Sequence, residues 1–89
     1  MALNYITLVL GLANEPGSLV RALRVLADGG LNMSKLESRP LPGRAWQYVF
    51  WIDLDADAGE PAVAATLERL GGAVSFLRVL GSYPRATTA

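Results

Sequence analysis

A β-α-β-β-α-β order, and with it a ferredoxin-like α+β fold, follows from three observations on the sequence. Hydrophobic spacing switches between period two and helical spacing along the chain. Pro-Gly or Gly-Gly pairs stand at the main switches. The length of 89 residues suits one domain with one core. With right-handed crossovers this order gives a four-stranded antiparallel sheet, spatial order 4-1-3-2, with both helices on one face.

The elements read in order as follows. Tyr5 to Ala13 is a strand, with Ile6, Leu8, Leu10 and Leu12 on one face and the lighter Thr7, Val9 and Gly11 on the other. Asn14-Glu15-Pro16-Gly17-Ser18 breaks it, and Ser18 reads as the N-cap of a helix. Leu19, Ala22, Leu23, Leu26 and Ala27 form an apolar helical stripe, while Arg21, Arg24 and Asp28 face water. Gly29-Gly30 ends this helix.

Leu31 to Leu41 is the second strand, and its parity slips. Leu31 and Met33 share one parity and Leu36 has the other, so either a bulge intervenes or one of them faces the open side. Pro42-Gly43-Arg44 is a hairpin turn. Trp46, Tyr48, Phe50, Ile52 and Leu54 then alternate with Gln47, Val49, Trp51 and Asp53. The first set reads as core. Val49 and Trp51 join Val9 in an apolar patch on the open sheet face, which suggests a covering partner.

Asp55 to Gly59 is a polar loop, and Pro61 suits the first turn of a helix. Val63, Leu67 and Leu70 recur at helical spacing until Gly71-Gly72. Val74 to Leu80 is the last strand, Gly81-Ser82-Tyr83-Pro84 closes the domain, and Arg85 to Ala89 is a fraying tail.

Composition narrows the function. Eight basic and eight acidic residues cancel, with no basic run, so nucleic acid is not an expected partner. Cysteine and histidine are both absent, which removes thiol chemistry, the commonest metal ligands and the usual neutral-pH acid/base. No catalytic residue, metal or cofactor is expected. Asp53, Asp55 and Asp57 are spaced like the start of a calcium loop, but the rest of that pattern is misplaced. The apolar run Ile6 to Ala13 is too short to span a bilayer, and no signal peptide is apparent, so a soluble cytoplasmic domain is expected.

Two stretches carry residues the core does not require. Asn14 to Val20 joins strand to helix. It is either an ordinary βα turn or an anion-accepting helix N-terminus, with Gly17 allowing close approach and Asn14 offering an amide. Glu37-Ser38-Arg39-Pro40 is either a charged edge strand that discourages aggregation or a ligand or subunit contact. In the second reading Glu37 meets an ammonium and Arg39 a carboxylate.

Together these stretches resemble the ACT domain, specifically the C-terminal regulatory ACT domain of prephenate dehydratases. Asn14-Glu15-Pro16-Gly17-Ser18-Leu19-Val20 is similar to that family's N-x-P-G-(A/S)-L-(V/Y/F) stretch. Leu36-Glu37-Ser38-Arg39-Pro40 carries its E-S-R-P motif. The likeness runs from about Tyr5 to Pro84. It implies a regulatory rather than catalytic domain that binds L-phenylalanine at a homodimer interface. Asn14, Pro16, Gly17, Ser18, Leu19 and Val20 of one subunit would face Glu37, Ser38, Arg39 and Pro40 of the other. A prephenate dehydratase catalytic domain is the implied partner, and the sequence leaves open whether dimers pair into a tetramer through the open sheet face. The alternatives are a ligand-independent assembly module, or a freestanding sensor of another apolar amino acid.

Overall fold

The computed structural model describes residues 4–13, 15–41 and 44–84, with the backbone alone for residues 40, 41 and 44–47. Asn14, the Pro42-Gly43 turn and the tail at 85–89 lie outside the described residues, as does the side chain of Trp46. The elements are β1 (Asn4–Ala13), α1 (Ser18–Asp28), β2 (Asn32–Leu41), β3 (Arg44–Asp55), α2 (Pro61–Ala73) and β4 (Phe76–Pro84). The strands form one antiparallel sheet in the order β2-β3-β1-β4, the expected ferredoxin-like arrangement.

The core explains why the chain folds this way. Ile6, Leu8, Leu10 and Leu12 of β1 cluster with Ile52 and Leu54 of β3. Ala22 and Leu26 of α1 and Val63 and Leu70 of α2 close over them. Burying each large side chain of this set contributes about 1.5–3 kcal/mol. The period-two and helical stripes of the sequence thus meet in a single layer between sheet and helices.

The parity slip in β2 is a bulge. Met33 stands opposite Leu54 and Lys35 opposite Asp53, so Ser34 is the extra residue. One inserted residue returns Leu36 to the side of Met33, opposite Ile52.

Three boundaries differ from expectation. Gly17, not Ser18, is the N-cap of α1, and Ser18 is its first helical residue. Helix α2 runs through Gly71 and Gly72 to Ala73 and stops where Val74 turns extended. The Ser75 N–H then donates to the Gly11 carbonyl (2.8 Å), which ties the chain back to β1. Strand β4 starts at Phe76 and continues through Gly81-Ser82-Tyr83-Pro84, pairing Pro84 with Asn4. Proline is tolerated there because β4 is an edge strand.

The open face covers itself in part. Phe76 stands opposite Gly11, and its ring occupies the space a Cβ at Gly11 would take. Val9 and Val49 are also buried, although no described helix lies on that side. Tyr48, in contrast, stays 38% exposed, so it does not join the expected core face of β3 at Phe50, Ile52 and Leu54.

Candidate functional site

The turn before α1 is built by one residue. Gly17 has φ of 84°, a left-handed conformation that glycine adopts without steric penalty. It lets the chain reverse from β1 into α1 within four residues. The Ser18 N–H donates to the Glu15 carbonyl (3.2 Å), and the Arg21 N–H makes the first helical bond to the Gly17 carbonyl (2.9 Å). Among the described residues, the N–H groups of Leu19 and Val20 meet no acceptor and no side chain caps the helix. No acidic residue stands in its first turn. The positive end of the helix dipole is therefore available to an anion.

Sequence reasoning missed Arg21 at this end. Its guanidinium folds back so that Nη2 donates to Ser18 Oγ (3.5 Å) and lies 3.9 Å from a Glu15 carboxylate oxygen. The i, i+3 spacing of Ser18 and Arg21 was the available signal. Ser18 is only 7% exposed. Ser18 and Arg21 share a cavity of about 210 Å³ with the end of α2 at Gly72 and Ala73. A larger cavity of about 460 Å³ lies at the other end of the sheet, lined in part by Asp55, Asp57 and Glu60. Three carboxylates line that cavity, whereas the smaller one has a single carboxylate, Glu15, beside the Arg21 guanidinium.

The second stretch lies on edge strand β2. Ala13 stands opposite Gln47 and Pro40 opposite Tyr48, so both stretches reach the same end of the sheet with β3 between them. Two strand spacings separate β1 from β2, about 10 Å. Among the described residues, no hydrogen bond or ion pair joins residues 15–20 to residues 37–39. Asn14, one of the expected site residues, lies outside the described set, and for Pro40 the position of the backbone is what is known.

Glu37 and Arg39 engage each other. Arg39 Nε and Nη2 both donate to Glu37 Oε1, at 3.2 and 2.9 Å. The same guanidinium lies 5.6 Å from the ring centroid of Trp51, a cation–π distance. The hydrogen bond from Arg39, then its charge, hold the Glu37 carboxyl below the ordinary glutamate value, with a smaller effect from Lys35.

The three aspartates spaced by two serve separate ends. Asp53 accepts from Thr7 Oγ1 (2.8 Å), Asp55 from Asn32 Nδ2 (2.8 Å) and Asp57 from the Gly59 N–H (2.9 Å). Among the described residues no cluster of carboxylates could hold a metal ion. No described helix is long and apolar enough to cross a membrane.

Comparison with known proteins fits this geometry. The ACT domain model matches residues 6–72. The bifunctional chorismate mutase/prephenate dehydratase of Aquifex aeolicus is 44% identical over 80 residues, which are 90% of this chain and 22% of that protein. Among solved structures, a quorum-quenching acylase superposes with a TM-score of 0.87 at 34% identity, over 93% of this chain and 43% of its own. The prephenate dehydratase of Arthrobacter aurescens, solved in complex with L-Phe, superposes with a TM-score of 0.81 at 37% identity, over 92% of this chain and 27% of its own. The chain thus spans about a fifth of the length of the curated relatives it matches. On its sequence and its sheet order, the chain belongs to the ACT domain family and is related to the ACT-bearing part of the prephenate dehydratases.

Proposed function

We propose that this domain senses L-phenylalanine as a homodimer and thereby regulates a prephenate dehydratase activity by feedback. The observation that carries the reading is the open N-terminus of α1 at Gly17, in a chain 37% identical to a prephenate dehydratase solved with L-Phe bound. The ligand carboxylate accepts from the Leu19 and Val20 N–H groups, where the helix dipole adds about 0.3–1 kcal/mol. Arg21 stands beside it as a solvent-facing cation, 59% exposed at its side chain. Asn14, Pro16, Gly17, Ser18, Leu19 and Val20 form one half-site. The second half is built on the segment of β2 at Glu37 to Pro40, supplied by the other subunit.

Such a site couples binding to assembly. A ligand touching two subunits binds the paired arrangement better than the unpaired one, and only that difference in affinity can shift the population. Binding and dimerisation are then lost together. Regulation follows if the paired arrangement changes what a neighbouring catalytic domain can do.

The test is a melting curve with free amino acid. Phenylalanine at about a hundred times its dissociation constant adds about 2.7 kcal/mol, which raises the melting temperature of a domain this size by about 10 °C or more. L-tyrosine and L-leucine run beside it tell whether another amino acid is preferred. No shift at millimolar phenylalanine would leave the second reading, a ligand-independent assembly module. Phe76, 40% exposed on the open sheet face beside Gly11, is the observation that favours that reading.

A further inference from the structure

A strand deals its side chains to alternate faces, and here the register says which goes where. Leu36 stands opposite Ile52 and Ser38 opposite Phe50. Ile52 belongs to the core and Phe50 packs against it, so Leu36 and Ser38 project to the helix side. Glu37 stands opposite Trp51 and Arg39 opposite Val49, so both charges project to the open side. There they bind each other and the Trp51 ring.

The uncapped end of α1 lies on the helix side. Arg21 shares a cavity with the end of α2, so it marks the flank of α1 turned to that helix. At about 100° per residue, Leu19 and Leu23 fall on the opposite flank, toward β2. The helices do not roof β2: Leu36 is 40% exposed. An apolar shelf therefore runs from α1 to the β2 edge on the helix side. When an edge strand pairs antiparallel with its own copy, the two-fold axis stands perpendicular to the sheet. Both helix layers then lie on the same side, and the shelf of one copy continues into the helix layer of the next.

We propose that the half-site contributed by β2 is its helix-side face, Leu36 and Ser38, with Leu36 selecting a large apolar side chain. Glu37 and Arg39 are positioning residues that hold the edge strand from the open side and touch no part of the ligand. The proposal rests on the phenylalanine reading above and divides the four-residue motif by face.

Calorimetric titration of the whole chain with four probes tests it: L-phenylalanine, L-valine, L-phenylalaninamide and N-acetyl-L-phenylalanine. Leu36→Ala removes contact with the ring and little contact with the smaller side chain. Its preference for phenylalanine over valine should fall about tenfold. Leu36→Met, which keeps the volume, should restore it. Arg39→Gln and Glu37→Gln can weaken all four probes by one common factor, through the strand. They should keep the wild-type preference for phenylalanine over its amide and over its N-acetyl form. Loss of the amide preference in Arg39→Gln, or of the N-acetyl preference in Glu37→Gln, would show direct contact and overturn the proposal. An unchanged phenylalanine-to-valine ratio in Leu36→Ala would overturn the role of Leu36. A wild-type chain that binds none of the four sinks the phenylalanine reading itself, and this proposal with it.

Discussion

Replacing Gly17 with alanine tests the turn on which the candidate site depends. At φ of 84° a Cβ clashes with its own backbone, a penalty of about 1–2 kcal/mol for a left-handed residue. The new Cβ would also lie 3.2 Å from Arg21 Nη1. That guanidinium is exposed and flexible, so it moves aside and adds little. No capping bond is lost, because Gly17 has no side chain to cap with. The expected destabilisation is therefore the conformational penalty alone. For a domain of this size it corresponds to a fall in melting temperature of about 4–16 °C. The assay is thermal and urea denaturation at one fixed protein concentration, since assembly would shift the midpoint. The urea slope should not change, because the same surface is exposed on unfolding. Gly17→Asn should lose less, since asparagine visits the left-handed region more readily. A Gly17→Ala chain that melts with the wild type would refute the argument: the turn would then not need a left-handed residue.

Two other perturbations have defined outcomes. The Glu37 carboxyl is held below its ordinary value in the folded chain, so its pair with Arg39 stabilises above the unfolded glutamate value and is lost as pH falls through the lowered one. Followed by NMR, its titration midpoint should rise toward the ordinary value in Arg39→Gln and also in high salt, because the pair is exposed; a midpoint indifferent to both would remove Arg39 as the cause. Leu70 is fully buried between α2 and the sheet, and Leu70→Ala should lower unfolding stability by about 2–5 kcal/mol in urea, whereas a loss under 1 kcal/mol would mean that the cavity refills.

Much of the molecule was legible before any coordinates. The alternation of Ile6, Leu8, Leu10 and Leu12 and the helical stripes at Leu26 and Leu70 specify which faces are buried, because burial of apolar area is the dominant favourable term and each period matches one backbone geometry. Both candidate stretches were legible too, as residues a core has no use for. Turn residues were less reliable guides. Gly71-Gly72 and Gly81 to Pro84 read as stops, yet the first lies within α2 and the second within β4. Their fate was set by packing and by edge position, which local propensity does not contain.

The sequence by itself determined the order of elements, the buried faces of β1, α1 and α2, and the two stretches that stand out from the core. Only the tertiary structure decided how the second stretch is divided. The bulge at Ser34 resets the parity of β2, and pairing with β3 then places Glu37 and Arg39 beside Trp51 on the open face and Leu36 and Ser38 on the helix face. One inserted residue exchanges every side chain beyond it between the two faces of a strand. A linear motif of four residues shows its chemistry but not its faces, and the register of a neighbouring strand supplies them.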